Sequence, residues 1–169
     1  MPYAKNRKQP NLDEFVNRYS GIYEHSSWVA EETYEIAGEI DNVDELASVF
    51  RRCVDQATNE RKLALIRAHP DLAGKAALKG ELTEESSTEQ ASAGIDQCPN
   101  EEYQRFQDLN DRYKEKFGFP FVMAVRDSNR QEILAEFGRR LENDSKAEFD
   151  TAIKEIHKIA RLRLQELDT

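Results

Sequence analysis

From Asn11 onward, apolar residues recur every three or four positions almost to the C-terminus, the period of helices with one buried face. Leu12, Phe15, Val16 and Tyr19 make the first stripe, with Asn11 placed to cap it and Gly21 to end it. A second segment runs from about Ser27 to Ala37 and closes at Gly38. From Val43 to about Thr58, Leu46, Ala47, Phe50, Cys53, Val54 and Ala57 share a face. Arg61 to Ala68 continues through Leu63 and Ile66. It must stop at His69, because the residue before Pro70 is pushed out of the α region. Thr83 to Ser92 is polar and rich in Glu. The clearest stripe is Tyr103, Phe106, Leu109, Asn110, Tyr113 and Phe117, with Asn100 expected as its cap and Gly118 as its terminator. Phe119-Pro120 then breaks the chain before the apolar run Phe121 to Val125, too short for its period to separate strand from buried helix. Ser128 with Gln131, and Ser145 with Glu148, have capping-box spacing and are expected to open two last helices. The final one should bury Phe149, Ile153, Ile156, Ala160, Leu164 and Leu167.

The expectation is an all-α, single-domain, multi-helix bundle over residues 11–169, behind a loose polar arm over residues 1–10. The 169 residues suffice to bury a core without staples. Gly and Pro are scarce, at 7 and 5, which argues against a turn-dense β fold. The net charge of −9 repels phosphate backbones, and there is no dense basic run beyond Lys5 to Lys8, so nucleic acid is not expected as a partner. Cys53 and Cys98 make neither a disulfide framework nor a zinc site. His25, His69 and His157 lie far apart and form no helical metal pair, so no metal is expected. No apolar run has membrane length, the N-terminus lacks a signal-peptide core, and the final Leu-Asp-Thr is not a peroxisomal tripeptide. A soluble cytoplasmic protein with no membrane partner is the expectation.

Residues 67–94 are the unusual stretch, with a Pro, three Gly and a cluster of hydroxyl and acidic groups around one His. His69 sits at a helix end against the fixed Pro70, where an imidazole can exchange a proton near neutral pH; equally, it can cap the preceding carbonyls. On a helix Ser86, Glu89 and Gln90 share one face and present a hydroxyl, a carboxylate and an amide together. The plain alternative is a solvated face. Arg161 and Arg163 lie near the end of an apolar-striped helix. There an inward guanidinium suits an anionic or carbonyl-rich ligand, and an outward one complements the helix dipole.

Five segments then fall in order. They are Tyr23-Glu24-His25-Ser26-Ser27-Trp28, His69-Pro70-Asp71-Leu72-Ala73-Gly74-Lys75, Ser86-Ser87-Thr88-Glu89-Gln90, Phe117-Gly118-Phe119-Pro120-Phe121-Val122 and Leu162-Arg163-Leu164. Together they resemble the OHCU decarboxylase family over nearly the whole chain, OHCU being 2-oxo-4-hydroxy-4-carboxy-5-ureidoimidazoline, an intermediate of urate breakdown. The resemblance implies an all-helical fold and a cofactor-free decarboxylase that forms (S)-allantoin from a small ureidoimidazoline substrate. It also implies catalytic roles for His69 and Glu89. Substrate binding would fall to Pro70, Ser86, Gln90, Phe119, Phe121, Val122, Val125 and Arg163, with Arg161 a register-shifted rival of Arg163. Family analogy points further to a homodimer. Two other readings compete: a helical adaptor without a His–Glu pocket, and an enzyme of the same fold acting on another ureido or purine-derived substrate.

Overall fold

The computed structural model describes residues 11–37, 42–74, 77 and 79–167, and among these it contains eight α-helices and no strand. The expected arm over 1–10, the terminator Gly38 and Lys75 lie outside the described residues. None of the described helices is long and apolar enough to cross a membrane.

The chain divides into two compact units, one formed by residues 1–68 and 157–169, the other by 69–156. In the first unit, α1 (Leu12–Tyr19) opens on Asn11, whose side chain accepts the Glu14 N–H at 2.9 Å. α2 (Ser27–Ala37) packs between α1 and α3 (Val43–Asp55). α3 stops three residues short of the expected Thr58, because Thr58 is needed to cap α4 (Asn59–Arg67), which therefore starts before Arg61. Phe15, Tyr19, Tyr23 and Phe50 form an aromatic core, with Phe15–Tyr19 centroids 4.8 Å apart and Tyr19–Phe50 5.8 Å. Leu46, Val54, Leu65 and Ile66 are buried beside them in the same unit. Leu12, assigned to the buried stripe, is instead 39% exposed, as befits the first turn of a helix.

The second unit holds α5 (Glu84–Ser92), a 3₁₀ turn (Ile95–Gln97), α6 (Asn100–Phe117), α7 (Arg130–Leu141) and the first half of α8 (Ser145–Leu167). Gly118 ends α6 with φ of 77°, the left-handed conformation that glycine adopts without steric cost. Three expected caps move. Asn100 is the first helical residue of α6, and Pro99 precedes it with no side-chain cap. α7 is capped by Asn129, which accepts the Glu132 N–H, not by Ser128. α8 is capped by Asp144, which accepts the Ala147 N–H, not by Ser145. In both pairs an equally good capping side chain lies one residue from the serine. On α8, Ile153, Ile156, Ala160 and Leu164 are buried, Phe149 is half-buried and Leu167 is 41% exposed. Residues 121–125 are neither strand nor helix; the Val122 carbonyl and the Ala124 N–H go to side chains, and the Val125 carbonyl accepts the Ser128 N–H.

Candidate active site

His69 opens the second unit, one residue beyond Ala68, the cap of α4. It is buried, as are Ser86 and Gln90 on α5, while Pro70 and Glu89 are half-buried. α5 is capped by Thr83, whose hydroxyl accepts the Ser86 N–H at 3.2 Å. One helical turn then brings Ser86, Glu89 and Gln90 to the same face. The plain alternative of a solvated face is excluded for Ser86 and Gln90, each 5% exposed.

The chain after His69-Pro70 is held from two helices. Gln90 accepts the Ala73 N–H on Oε1 at 3.2 Å and donates from Nε2 to the Asp71 carbonyl at 3.3 Å. From α6, Asn110 donates to the Leu72 carbonyl at 2.9 Å and Gln107 to the Ala73 carbonyl at 2.6 Å. Lys114, one turn further along, pairs with the Asp71 carboxylate at 2.6 Å. Ala73 sits at φ of 52°, where an alanine is strained. At Gly74 a Cβ would lie 2.7 Å from the Asp71 Cβ, so the turn has no space for a side chain. Both ends of the Gln90 amide are thus on loop backbone.

The Phe119 to Val125 segment is fixed from α6, α7 and α8. Tyr113 meets the Phe119 ring at 5.9 Å and the Phe121 ring at 5.5 Å, and Phe121 stacks on Phe137 at 3.9 Å. Arg140 donates to the Val122 carbonyl at 2.6 Å and lies 4.4 Å from the Phe121 ring. Its guanidinium also pairs with Glu148 at 2.9 Å, and all three of Arg140, Glu148 and Tyr113 are essentially fully buried. Tyr113 donates to the same Glu148 carboxylate at 2.6 Å; burial, together with Glu148, pushes its hydroxyl well above the ordinary tyrosine value, so it stays protonated. Glu155 accepts the Ala124 N–H at 3.3 Å. Phe119, Phe121, Val122 and Val125 are buried. α6 is thus the common support: Gln107, Asn110 and Lys114 hold the chain after His69, and Tyr113 holds the segment after Gly118.

Arg163 belongs to the first unit. It is buried, donating to Glu24 at 2.8 Å and to the Gly21 carbonyl at 3.0 Å. Arg161 is 56% exposed and pairs with Asp44 at 2.8 Å, so Arg163 is the inward member of the two. In the same unit Tyr23, His157 and Asp55 form a chain, with Tyr23 Oη 3.0 Å from His157 Nδ1 and His157 Nε2 2.9 Å from Asp55. Burial, with the nearby Asp55 charge, raises the Tyr23 hydroxyl, which therefore donates to Nδ1 and leaves the Nε2–H for Asp55. Trp28 stacks under Arg61, 4.1 Å from its ring centre, and Arg61 pairs with Glu32. His25 is exposed. Burial raises both thiols, Cys53 and Cys98, which argues against thiolate chemistry at either.

Sequence reasoning did not find the structural roles of Arg140, Glu148, Gln107 and His157. Arg140 carried a signal: it lies on the apolar face of α7 with Ile133, Phe137 and Leu141, where a lone charge implies a buried partner. Gln107 carried none, since an amide donating to a distant loop leaves no mark on helical period.

The OHCU decarboxylase family model matches residues 8–165. The chain belongs to the OHCU decarboxylase family. It is 47% identical to the 2-oxo-4-hydroxy-4-carboxy-5-ureidoimidazoline decarboxylase of Haloferax volcanii, over 91% of this chain and 89% of that one. It is 36% identical to the decarboxylase of the same name from Mus musculus, over 93% and 88%. A crystal structure of (S)-allantoin synthase superimposes with a TM-score of 0.76 at 31% identity, covering 94% of this chain and 50% of that one. Family membership agrees with the helical architecture expected from the hydrophobic period.

Proposed function

We propose that this chain decarboxylates 2-oxo-4-hydroxy-4-carboxy-5-ureidoimidazoline to (S)-allantoin, a step of urate catabolism, with no cofactor. The observation that carries the reading is the 47% identity to a decarboxylase of that name over nine-tenths of the chain. The buried His69 on its braced turn supports it. The substrate's own structure supplies the electron sink. Its C4 bears both hydroxyl and carboxylate, and the ring C=N adjoins it at C5. When CO₂ leaves C4, the bonding pair forms a C4=C5 double bond and the C=N pair takes up a proton on nitrogen. The 4-hydroxyl then loses its proton to become a carbonyl as C5 gains one, and the face on which C5 is protonated sets the (S) product. The chain's task is to hold the ring and to move protons at defined atoms.

In this reading His69 works on the 4-hydroxyl proton, and Glu89 stabilises the charged imidazole and fixes its tautomer. Ser86 and the Gln90 amide grip the ureido and ring carbonyls. Pro70 and the buried Phe119, Phe121, Val122 and Val125 supply apolar wall. Arg163 enters on the resemblance alone, as a carboxylate or carbonyl ligand. The reading also includes a cytoplasmic homodimer, which light scattering of the purified protein checks. The decisive experiment follows the circular dichroism of freshly generated substrate with wild type and with His69→Asn. Wild type should give a fast (S)-allantoin signal, and His69→Asn a turnover at least about 100-fold lower, the ordinary size of a lost acid–base group. Slow racemic product with both proteins overturns the reading.

A further inference from the structure

Three side-chain amides converge on four backbone groups within three consecutive residues of one turn. Gln90 takes the Asp71 carbonyl and the Ala73 N–H, Asn110 the Leu72 carbonyl, and Gln107 the Ala73 carbonyl. A loop of this kind ordinarily satisfies such groups with water or with its own backbone. Here they are satisfied from α5 and α6, and the turn holds Ala73 in the left-handed region at φ of 52°. A strained conformation persists only where its surroundings over-determine it, and such strain gathers at functional sites. Asn110 is 2% exposed, and its Oδ1 accepts no hydrogen bond, so a polar atom is held in the interior while the same amide grips the turn. That arrangement costs stability that an apolar residue would not cost.

We propose that Gln107 and Asn110 are positioning residues of the reaction: with Gln90 they clamp the turn that follows His69-Pro70 and so hold the His69 imidazole in its reactive orientation. Pro70 makes the coupling stiff, because its ring fixes the backbone between the imidazole and the clamped carbonyls. Gln90 thereby has two attachments, one pair of bonds to the turn and one contact with substrate. The inference rests on His69 being the acid–base group of the proposed reaction.

The test compares Gln107→Met, Asn110→Leu, His69→Asn and Lys116→Met. Lys116 lies on the same helix and donates to the Leu141 carbonyl at 2.7 Å, so its variant loses a similar side-chain-to-backbone bond away from the turn. Gln107 is half-buried, so Gln107→Met remains foldable even if the buried Asn110→Leu does not. Gln107→Met should lower kcat about 10- to 100-fold, the cost of a small misplacement of a reacting group. KM should stay within about twofold, because ground-state binding is not what is lost. Its kcat–pH profile should shift along the limb that His69→Asn abolishes. Lys116→Met should keep wild-type kcat. If His69→Asn is inactive while Gln107→Met and every folded Asn110→Leu sample keep wild-type kcat and pH profile, the clamp inference fails and the site reading stands. If His69→Asn is active, the site reading fails and takes the inference with it. A fall in thermal midpoint with unchanged kcat per folded molecule makes the clamp purely structural and overturns the proposal.

Discussion

Arg140 and Glu148 are buried charges that each hold several partners. The guanidinium reaches Glu148, the Val122 carbonyl and the Phe121 face at once, and Glu148 also accepts from Tyr113 and Asn143. Removing one member leaves the other charged and buried, so Arg140→Met should cost about 3–5 kcal/mol of unfolding free energy in urea. Arg139→Met, next in sequence but exposed and paired with Glu136 on its own helix, should stay within about 0.5 kcal/mol. Adding Glu148→Leu to Arg140→Met should recover part of the loss; no recovery would mean that the Val122 carbonyl, not the ion pair, is the principal partner. His157 gives a pH-dependent counterpart. Burial holds its imidazole below the ordinary histidine value, against the opposing pull of Asp55, with Arg51 and Lys62 adding to the depression. The unfolded chain therefore takes up the proton first as pH falls. The stability that His157 contributes is complete above about pH 6.5 and is lost below it, toward the lower folded value. His157→Gln should start less stable and show a shallower decline between about pH 7 and about pH 5, read as urea midpoints; parallel declines would refute the assignment.

Helix stripes survive translation from sequence to structure because burial of one face sets them, and caps survive less well because several residues compete for each one. Asn11 and Gly118 lie where the sequence pattern puts them, each with no rival beside it. At α7 and α8 a serine and an equally good capping residue are adjacent, and the spacing to a Gln or Glu favoured the wrong one. Glu148, read as half of a capping box, is instead a buried partner of Arg140. Asn129→Ala should therefore cost about 0.5–2 kcal/mol, and Ser128→Ala almost nothing, by urea unfolding. The reverse order would restore the serine as the cap. The five residues 121–125 were illegible for a different reason. Two of their backbone groups, the Val122 carbonyl and the Ala124 N–H, are taken by Arg140 and Glu155, which lie elsewhere in the sequence, so neither helical nor strand period applies. Of the candidate site, the residue types on α5 and the break at His69 were readable. The clamp from α6 was not, because amide donors leave the apolar stripe unchanged.

At the scale of the whole molecule the charge is the datum that no single residue carries. The chain bears −9, and the proposed substrate is an anion by virtue of its carboxylate, so their long-range interaction is repulsive. The screening length shrinks from about 30 Å at about 10 mM salt to about 8 Å at physiological strength, so added salt weakens this repulsion before the two molecules meet. Consequently kcat/KM should rise with salt across that range, while kcat, which begins from bound substrate, should stay level. The product provides an internal control. It has lost the carboxyl group as CO₂ and is uncharged, so inhibition by (S)-allantoin should not respond to salt. A rise confined to kcat/KM, with a flat inhibition constant, would identify net charge as the opposing term. A fall in kcat/KM would mean that cationic groups such as Arg163 dominate the field the substrate meets, and Arg163→Met should then turn the fall into the rise expected of the acidic chain. The two outcomes differ in sign, so one salt titration decides whether the acidic surface or the buried arginine governs capture of the anion.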